Sequence, residues 1–264
     1  MKKPTAKPGN KPTFGIIGYG RFGRLWAQCL KPFGNVKIFE KNSRTVRQNN
    51  TAKNNQQSSA FVSLKETVAS DFLFLLVPIS EIETVSKKIA PIISPTTVVI
   101  DACSVKVHPV KMMKKWLPKE QQIIATHPLF GPDSVKKFGL KDQKIVVCNI
   151  RCAKNNLQNF VKYLKKLELK IIHATPEEHD RQMAKSQALV HFLGRGLGPL
   201  NLAPQPIATP DYNTLLRMND MVQNDTWQLF FDMQNYNSYT KKIRQTFLKS
   251  LQKLNHAFKK KPRR

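Results

Sequence analysis

The sequence predicts an α/β fold, a parallel sheet wound with helices and followed by an all-helical domain. Three observations carry that reading. Short apolar runs alternate with helically spaced segments over the first two-thirds of the chain. One run, Asp71-Phe72-Leu73-Phe74-Leu75-Leu76-Val77-Pro78, is apolar throughout rather than alternately, as a strand covered on both faces requires. From Pro176 onward the pattern turns to long helical stretches. At 264 residues and 41% hydrophobic, the chain can bury a sizeable core.

The elements follow in order. Residues 1–12 read as a basic disordered tail, because Lys2, Lys3, Lys7 and Lys11 stand among Pro, Thr and Gly before any apolar run. Phe14-Gly15-Ile16-Ile17-Gly18 is the first strand, Arg24 to Leu30 the helix after it, and Val36-Lys37-Ile38-Phe39, ending at Glu40, the second strand of a βαβ opening. The polar stretch 42–59 reads as a surface connection. Further strands are expected at 71–78, 97–101, 123–126 and 144–148, with a helix over 81–90. Pro176-Glu177-Glu178 starts a helix running to Leu197, since Pro suits the first turn and carboxylates favour the helix amino end. Helices at 212–220 and, with interruptions, 225–258 complete the pattern. The expected organisation is a sheet domain over 13–175, a helical domain over 176–258 and a second basic tail over 259–264.

The net charge of +27, from 44 Lys+Arg against 17 Asp+Glu, raises nucleic acid or an anionic surface as partners. Part of the excess sits in the tails, and no stretch interleaves lysines with the aromatic residues that a single-strand stacking platform needs. A charged, soluble surface is the plainer reading, and nucleic acid is not the expected partner. Cys29, Cys103, Cys148 and Cys152 show no CxxC spacing, which fits a reducing cytoplasm. No stretch reaches the ~20 apolar residues of a membrane span. No His/Cys/Asp cluster has metal-ligand spacing, so no metal is expected.

Gly18-Tyr19-Gly20-Arg21-Phe22-Gly23 matches GxGxxG directly after a strand and at the start of a helix. In that context glycines allow a tight turn and close approach of a pyrophosphate to helix amides, so the sheet domain is expected to be Rossmann-type. Glu40 stands where a carboxylate can accept hydrogen bonds from adenosine ribose hydroxyls, which favours NAD. Ser43 and Arg44, with Lys41, keep NADP as the alternative, because cations beside that ribose suit a 2′-phosphate. Val77 and Pro78, at the end of the apolar strand, join the cofactor-binding candidates.

The segment Thr126-His127-Pro128-Leu129-Phe130-Gly131-Pro132-Asp133-Ser134 puts an imidazole in a rigid turn where a strand ends, at the sheet edge where α/β proteins bind ligands. His127 is the candidate base. Ser104, in Asp101-Ala102-Cys103-Ser104-Val105-Lys106, is either its partner toward a substrate hydroxyl or a helix cap. His191, on a helix of the second domain, reads as a core histidine or a substrate ligand. His108, His173, His179 and His256 read as surface residues.

The GYGRFG turn, DACSVK at 101–106, THPLFGPDS at 126–134, KSQALVHFLGRGL at 185–197 and TPDYNTLLRMNDMVQND at 209–225 together resemble the prephenate and arogenate dehydrogenase family of tyrosine biosynthesis. The resemblance covers about 14–250. It implies a dinucleotide-binding domain followed by a helical domain through which the protein forms a homodimer. It also implies NAD(P)-dependent oxidative decarboxylation of prephenate to 4-hydroxyphenylpyruvate or of arogenate to tyrosine. His127 then corresponds to the histidine bonded to the substrate ring hydroxyl, Ser104 to the serine that orients it, and His191 to a substrate-binding histidine. One departure stands out. Many members place a carboxylate-binding arginine five residues before the position of Asp225, and here that residue is Asp220. Arg217, three residues earlier on the same helix, can supply the charge, or Asp220 can pair with the ammonium group that distinguishes arogenate from prephenate.

Two competing readings make different demands. A β-hydroxyacid or imine-type dehydrogenase relies on a lysine in the second domain, for which Lys185 is the candidate. A basic nucleic-acid-binding protein on a degenerate dehydrogenase fold predicts steeply salt-dependent binding.

Overall fold

The computed structural model describes residues 11–41 and 59–258. Ser43, Arg44 and nearly all of the two expected tails lie outside the described residues. The chain divides into two compact units, one comprising residues up to Val77, Glu81–Cys103 and Pro109–Thr175, the other Pro78–Ser80, Ser104–His108 and the residues from Pro176 on.

The first unit is built on a sheet of eight strands among the described residues: β1 (Thr13–Ile17), β2 (Asn35–Phe39), β3 (Ser59–Phe61), β4 (Phe72–Leu75), β5 (Val98–Asp101), β6 (Gln122–Pro128), β7 (Lys144–Arg151) and β8 (Lys170–His173). Their order is β3-β2-β1-β4-β5-β6-β7-β8. Helices α1 (Arg21–Leu30), α2 (Leu64–Val68), α3 (Ile82–Ile89), α4 (Val107–Trp116), α5 (Pro132–Phe138) and α6 (Lys154–Lys166) connect them. β1 is flanked by β2 on one side and by β4 on the other, so the chain reverses its direction of travel across the sheet there. Such a reversal opens a crevice at the carboxyl ends of the two central strands.

Every residue of β4 and β5 is buried, as the continuous apolarity of those runs demands. Aromatic rings fill one face: Phe14 stacks on Phe72 at 5.9 Å, Trp26 meets Phe74 edge-on at 5.9 Å, and Phe160 of α6 covers both Phe72 and Phe74. Each such side chain contributes about 1.5–3 kcal/mol by leaving water. At the opposite end of the strands, Thr13 and Asp71 clasp β1 to β4. The amide and hydroxyl of Thr13 each donate to the Asp71 carboxylate at 2.8 Å, and the Asp71 amide returns a bond of 2.9 Å to the Thr13 hydroxyl.

The sheet is parallel as expected except at one pair. β6 and β7 run antiparallel, with His127 opposite Val146 and Pro128 opposite Ile145. β6 therefore continues two residues past the expected end at Thr126, because β7 supplies a ladder for the segment that reads in sequence as a turn. α1 starts at Arg21, inside the glycine motif, rather than after Gly23. The apolar run expected to reach Pro78 leaves the strand after Leu75. β3, α2, α4, α5, α6 and β8 are elements that the sequence pattern does not predict.

The second unit contains α7 (Pro176–Lys185), α8 (Gln187–Leu197), α9 (Pro210–Gln223), α10 (Trp227–Tyr236) and α11 (Thr240–Ala257). Pro176 and Pro210 occupy first turns, while the hydroxyls of Thr209 and Thr226 accept from the amides of Tyr212 and Leu229 as N-caps. Ser186, with φ −111° and ψ −91°, breaks the single helix expected over 177–197 into α7 and α8. Asp180 organises this unit. Its carboxylate accepts the amides of Lys106 at 2.7 Å and Val107 at 2.9 Å and lies 2.8 Å from the His179 imidazole, while its carbonyl accepts from the Asn237 side chain at 2.8 Å. His179 is thus buried, not at the surface as its polar sequence neighbours suggest. His108 is half-buried, its ring 4.2 Å from that of Tyr236.

Candidate functional site

The three glycines of the motif have three different reasons to be glycine. Gly18 has φ +99°, and a Cβ there would lie 2.3 Å from the Leu76 carbonyl oxygen and 3.1 Å from Val77. A Cβ on Gly23 would lie 2.2 Å from the Gly18 carbonyl oxygen. Gly20 meets nothing within 4 Å, so protein packing makes no demand on it. A bare backbone facing open space at the amino end of a helix is what close approach of a pyrophosphate requires. The turn therefore fits a dinucleotide. The side chains of Tyr19 and Phe22 are half-buried and already engaged: Tyr19 meets Phe61 edge-on at 5.1 Å, and Phe22 stacks on Trp26 at 5.7 Å.

Glu40 follows β2, and its Oε2 accepts the Tyr19 amide at 2.7 Å. One carboxylate oxygen at the expected ribose position thus also fastens the glycine turn. The Arg21 guanidinium reaches the Asp133 carboxylate at 2.6 Å. Val77 lies beside Gly18, while Pro78 is exposed and counted with the second unit.

The register sets His127 at the same edge of the sheet. Ile17, Leu75, Asp101 and Ala125 pair in one row across β1, β4, β5 and β6. Gly18 lies one residue beyond that row and His127 two. His127 is 3% exposed, and the Thr126 hydroxyl beside it donates to the Asp101 carbonyl at 2.6 Å.

In the second unit, Ser104 is half-buried, two residues before the Lys106 amide held by Asp180. His191 is 4% exposed on α8, and its Nε2 lies 3.6 Å from Asp225 Oδ2. Burial holds the His191 imidazole below the usual histidine range; Asp225 opposes that shift and Arg195 adds to it. Arg195, one turn further along α8, lies 4.2 Å over the Trp227 ring, donates to the Gln223 side chain at 3.2 Å and also donates to the Asp225 carbonyl. The sequence uses Asp225 only as a landmark of the resemblance, and Arg195 is not among its candidates; the four-residue spacing from His191 to Arg195 is the available signal. Arg217 and Asp220 are exposed on α9, with Arg217 donating to the Thr214 hydroxyl at 2.7 Å. Lys185, on which the competing dehydrogenase reading depends, is exposed at the end of α7.

Comparisons with known proteins agree with this architecture. The family model described as prephenate dehydrogenase, nucleotide-binding domain, matches residues 27–173, more than half of the chain. A second, described as TYRAAT1-like, C-terminal domain, matches residues 196–264. Arogenate dehydrogenase 1, chloroplastic, of Arabidopsis thaliana is 27% identical over 84% of this chain and 36% of its own length. A probable arogenate/prephenate dehydrogenase of Methanocaldococcus jannaschii is 30% identical over 73% of this chain and 45% of its own length. The chain thus spans less than half the length of these two relatives. Among solved structures, prephenate dehydrogenase from A. aeolicus in complex with hydroxyphenyl propionate and NAD+ has the same fold, with a TM-score of 0.75 at 19% identity over 96% of this chain and 92% of that one. Among the described residues, no helix is long and apolar enough to cross a membrane, and no group of His, Cys, Asp and Glu could hold a metal ion.

Proposed function

The chain belongs to the prephenate dehydrogenase family, and we propose that it catalyses oxidative decarboxylation of arogenate or prephenate with a nicotinamide dinucleotide. The observation that carries this reading is the pairing of an open glycine turn and a buried imidazole at one sheet edge. The nicotinamide supplies the hydride acceptor. The residues do the rest. The amides at the start of α1, with the open backbone of Gly20, bind the phosphates. His127 accepts the proton of the ring hydroxyl as the carbon bearing it gives up hydride, and loss of the ring carboxylate as carbon dioxide leaves the aromatic product. Ser104 orients that hydroxyl and His191 binds substrate.

Our preferred cofactor is NAD, supported by the Glu40 carboxylate, which would repel a 2′-phosphate. Our preferred substrate is arogenate. Its ammonium group can pair with a carboxylate, and the second unit offers Asp225, which lies beside His191 and Arg195, and the exposed Asp220. We also assign a homodimer through the helical unit, supported by the exposed Leu248, Leu251 and Leu254 of α11, together with a cytoplasmic setting supported by four cysteines that form no disulfide.

The test is a spectrophotometric assay crossing both substrates with NAD and NADP. Reduced nicotinamide is expected fastest with arogenate and NAD. No turnover in any of the four combinations, by protein that is folded, would sink the proposal.

A further inference from the structure

The Arg21–Asp133 ion pair joins residues 112 positions apart, and its place is unusual. Arg21 is the first residue of α1, at the turn where phosphates would be cradled. Asp133 lies in the first turn of α5, six residues beyond His127. Both side chains are more than half exposed, and an exposed pair adds little to stability.

A second contact ties the same two segments. Phe130, between His127 and Asp133, is buried with its ring 6.2 Å from Phe22 and 6.4 Å from Trp26, both on α1. Just after His127, the Leu129 amide donates to the Lys144 carbonyl at 2.8 Å. The segment leaving His127 is therefore held by the β7 ladder at its start, by aromatic packing on α1 in its middle, and by Arg21 at its end.

We propose that Arg21 and Asp133 form a latch that couples the seating of the dinucleotide phosphates to the placement of His127. This rests on the dehydrogenase reading above. A pyrophosphate at the glycine turn would attract Arg21 and repel Asp133, so the carboxylate would oppose cofactor binding and the guanidinium paired with it would offset that repulsion. Through Arg21, Asp133 anchors the chain that follows the histidine. Both are positioning residues.

Four variants and two measurements test the latch. Dinucleotide affinity is followed by quenching of protein fluorescence, and kcat is measured at saturating cofactor. Asp133→Asn is expected to tighten binding about two- to fivefold, the range of an exposed charge contact. The same variant is expected to lower kcat about tenfold or more, since small misplacements of reacting groups are costly. Asp133→Glu restores kcat. Arg21→Gln weakens binding, and adding Asp133→Asn to it recovers part of the loss by removing the uncompensated carboxylate. The latch is overturned if Asp133→Asn leaves kcat unchanged, or if adding it to Arg21→Gln recovers none of the lost affinity. Wild type that binds no dinucleotide overturns the dehydrogenase reading itself, whereas wild type that binds it normally while the variants show no coupling overturns only the latch.

Discussion

The two units place their candidate residues by different physical means. In the sheet unit, backbone geometry does the work: the φ of +99° at Gly18 and the open space at Gly20 belong to the turn from β1 into α1, and the strand register sets His127 two residues past Ala125. In the helical unit, side chains do it: His191 is defined by Asp225 and Arg195 around it, while Arg217 and Asp220 project from an exposed helix face. A site set by the backbone is stiff and tolerates few substitutions. A site set by side chains can change its ligand by changing a residue, which suits the part of an enzyme that selects among related substrates.

The sharpest test of this contrast is His127→Asn. It is expected to lower kcat by ~10²–10⁴-fold, the usual worth of general-base assistance, with dinucleotide affinity unchanged; near wild-type turnover would remove His127 from the chemistry. Next in size, the glycines should separate stability from binding. Gly18→Ala is expected to destabilise by about 1–3 kcal/mol through its left-handed backbone alone, read from urea unfolding. Gly20→Ala should unfold within ~0.5 kcal/mol of wild type, since nothing stands near its Cβ, yet bind dinucleotide roughly tenfold or more weakly if the phosphates approach there. Equal effects at the two positions would erase the distinction between a packing glycine and a binding glycine.

A smaller effect is expected from pH in the helical unit. The His191 imidazole is held below its ordinary value of 6.5, with burial the main cause. As pH falls below that value the unfolded chain takes up the proton first, so stability drops through this window, with a slope of at most about 1.4 kcal/mol per pH unit. His191→Gln should flatten that slope, and a slope unchanged in the variant would assign it to other groups. The smallest effect belongs to Asp220→Arg, expected to move the kcat/KM ratio of arogenate over prephenate toward prephenate by about two- to fivefold, as for an exposed charge. An unmoved ratio leaves Asp220 a solvated helix residue.

What could be read in advance follows the same division. Apolar runs and glycine spacing are local, so β1, β4, β5 and the turn at Gly18 to Gly23 are legible, as is the helix start at Pro176. The direction of β7 is not, because Lys144-Ile145-Val146-Val147-Cys148 has the same pattern whichever way it pairs. α4 was hidden by Pro109 and its lysines, although Val110, Met112 and Met113 bury against the unit. Asp225 and the burial of His179 depend on which helices meet, and nothing within their own few residues encodes that. Even His127, legible as a candidate, was read as the end of a strand in a turn, because the partner that extends the strand lies some twenty residues downstream.

The bond from the Tyr19 amide to Glu40 ties two traits together. Were the coenzyme preference proposed above to drift toward the phosphorylated dinucleotide by a substitution at position 40 that leaves no acceptor, the same change would unfasten the glycine turn. A lineage making that change needs a replacement acceptor for one amide before it gains from a new cation. A change to Gln, by contrast, removes the charge and leaves an oxygen for that amide, so the two traits separate only through a side chain that still accepts.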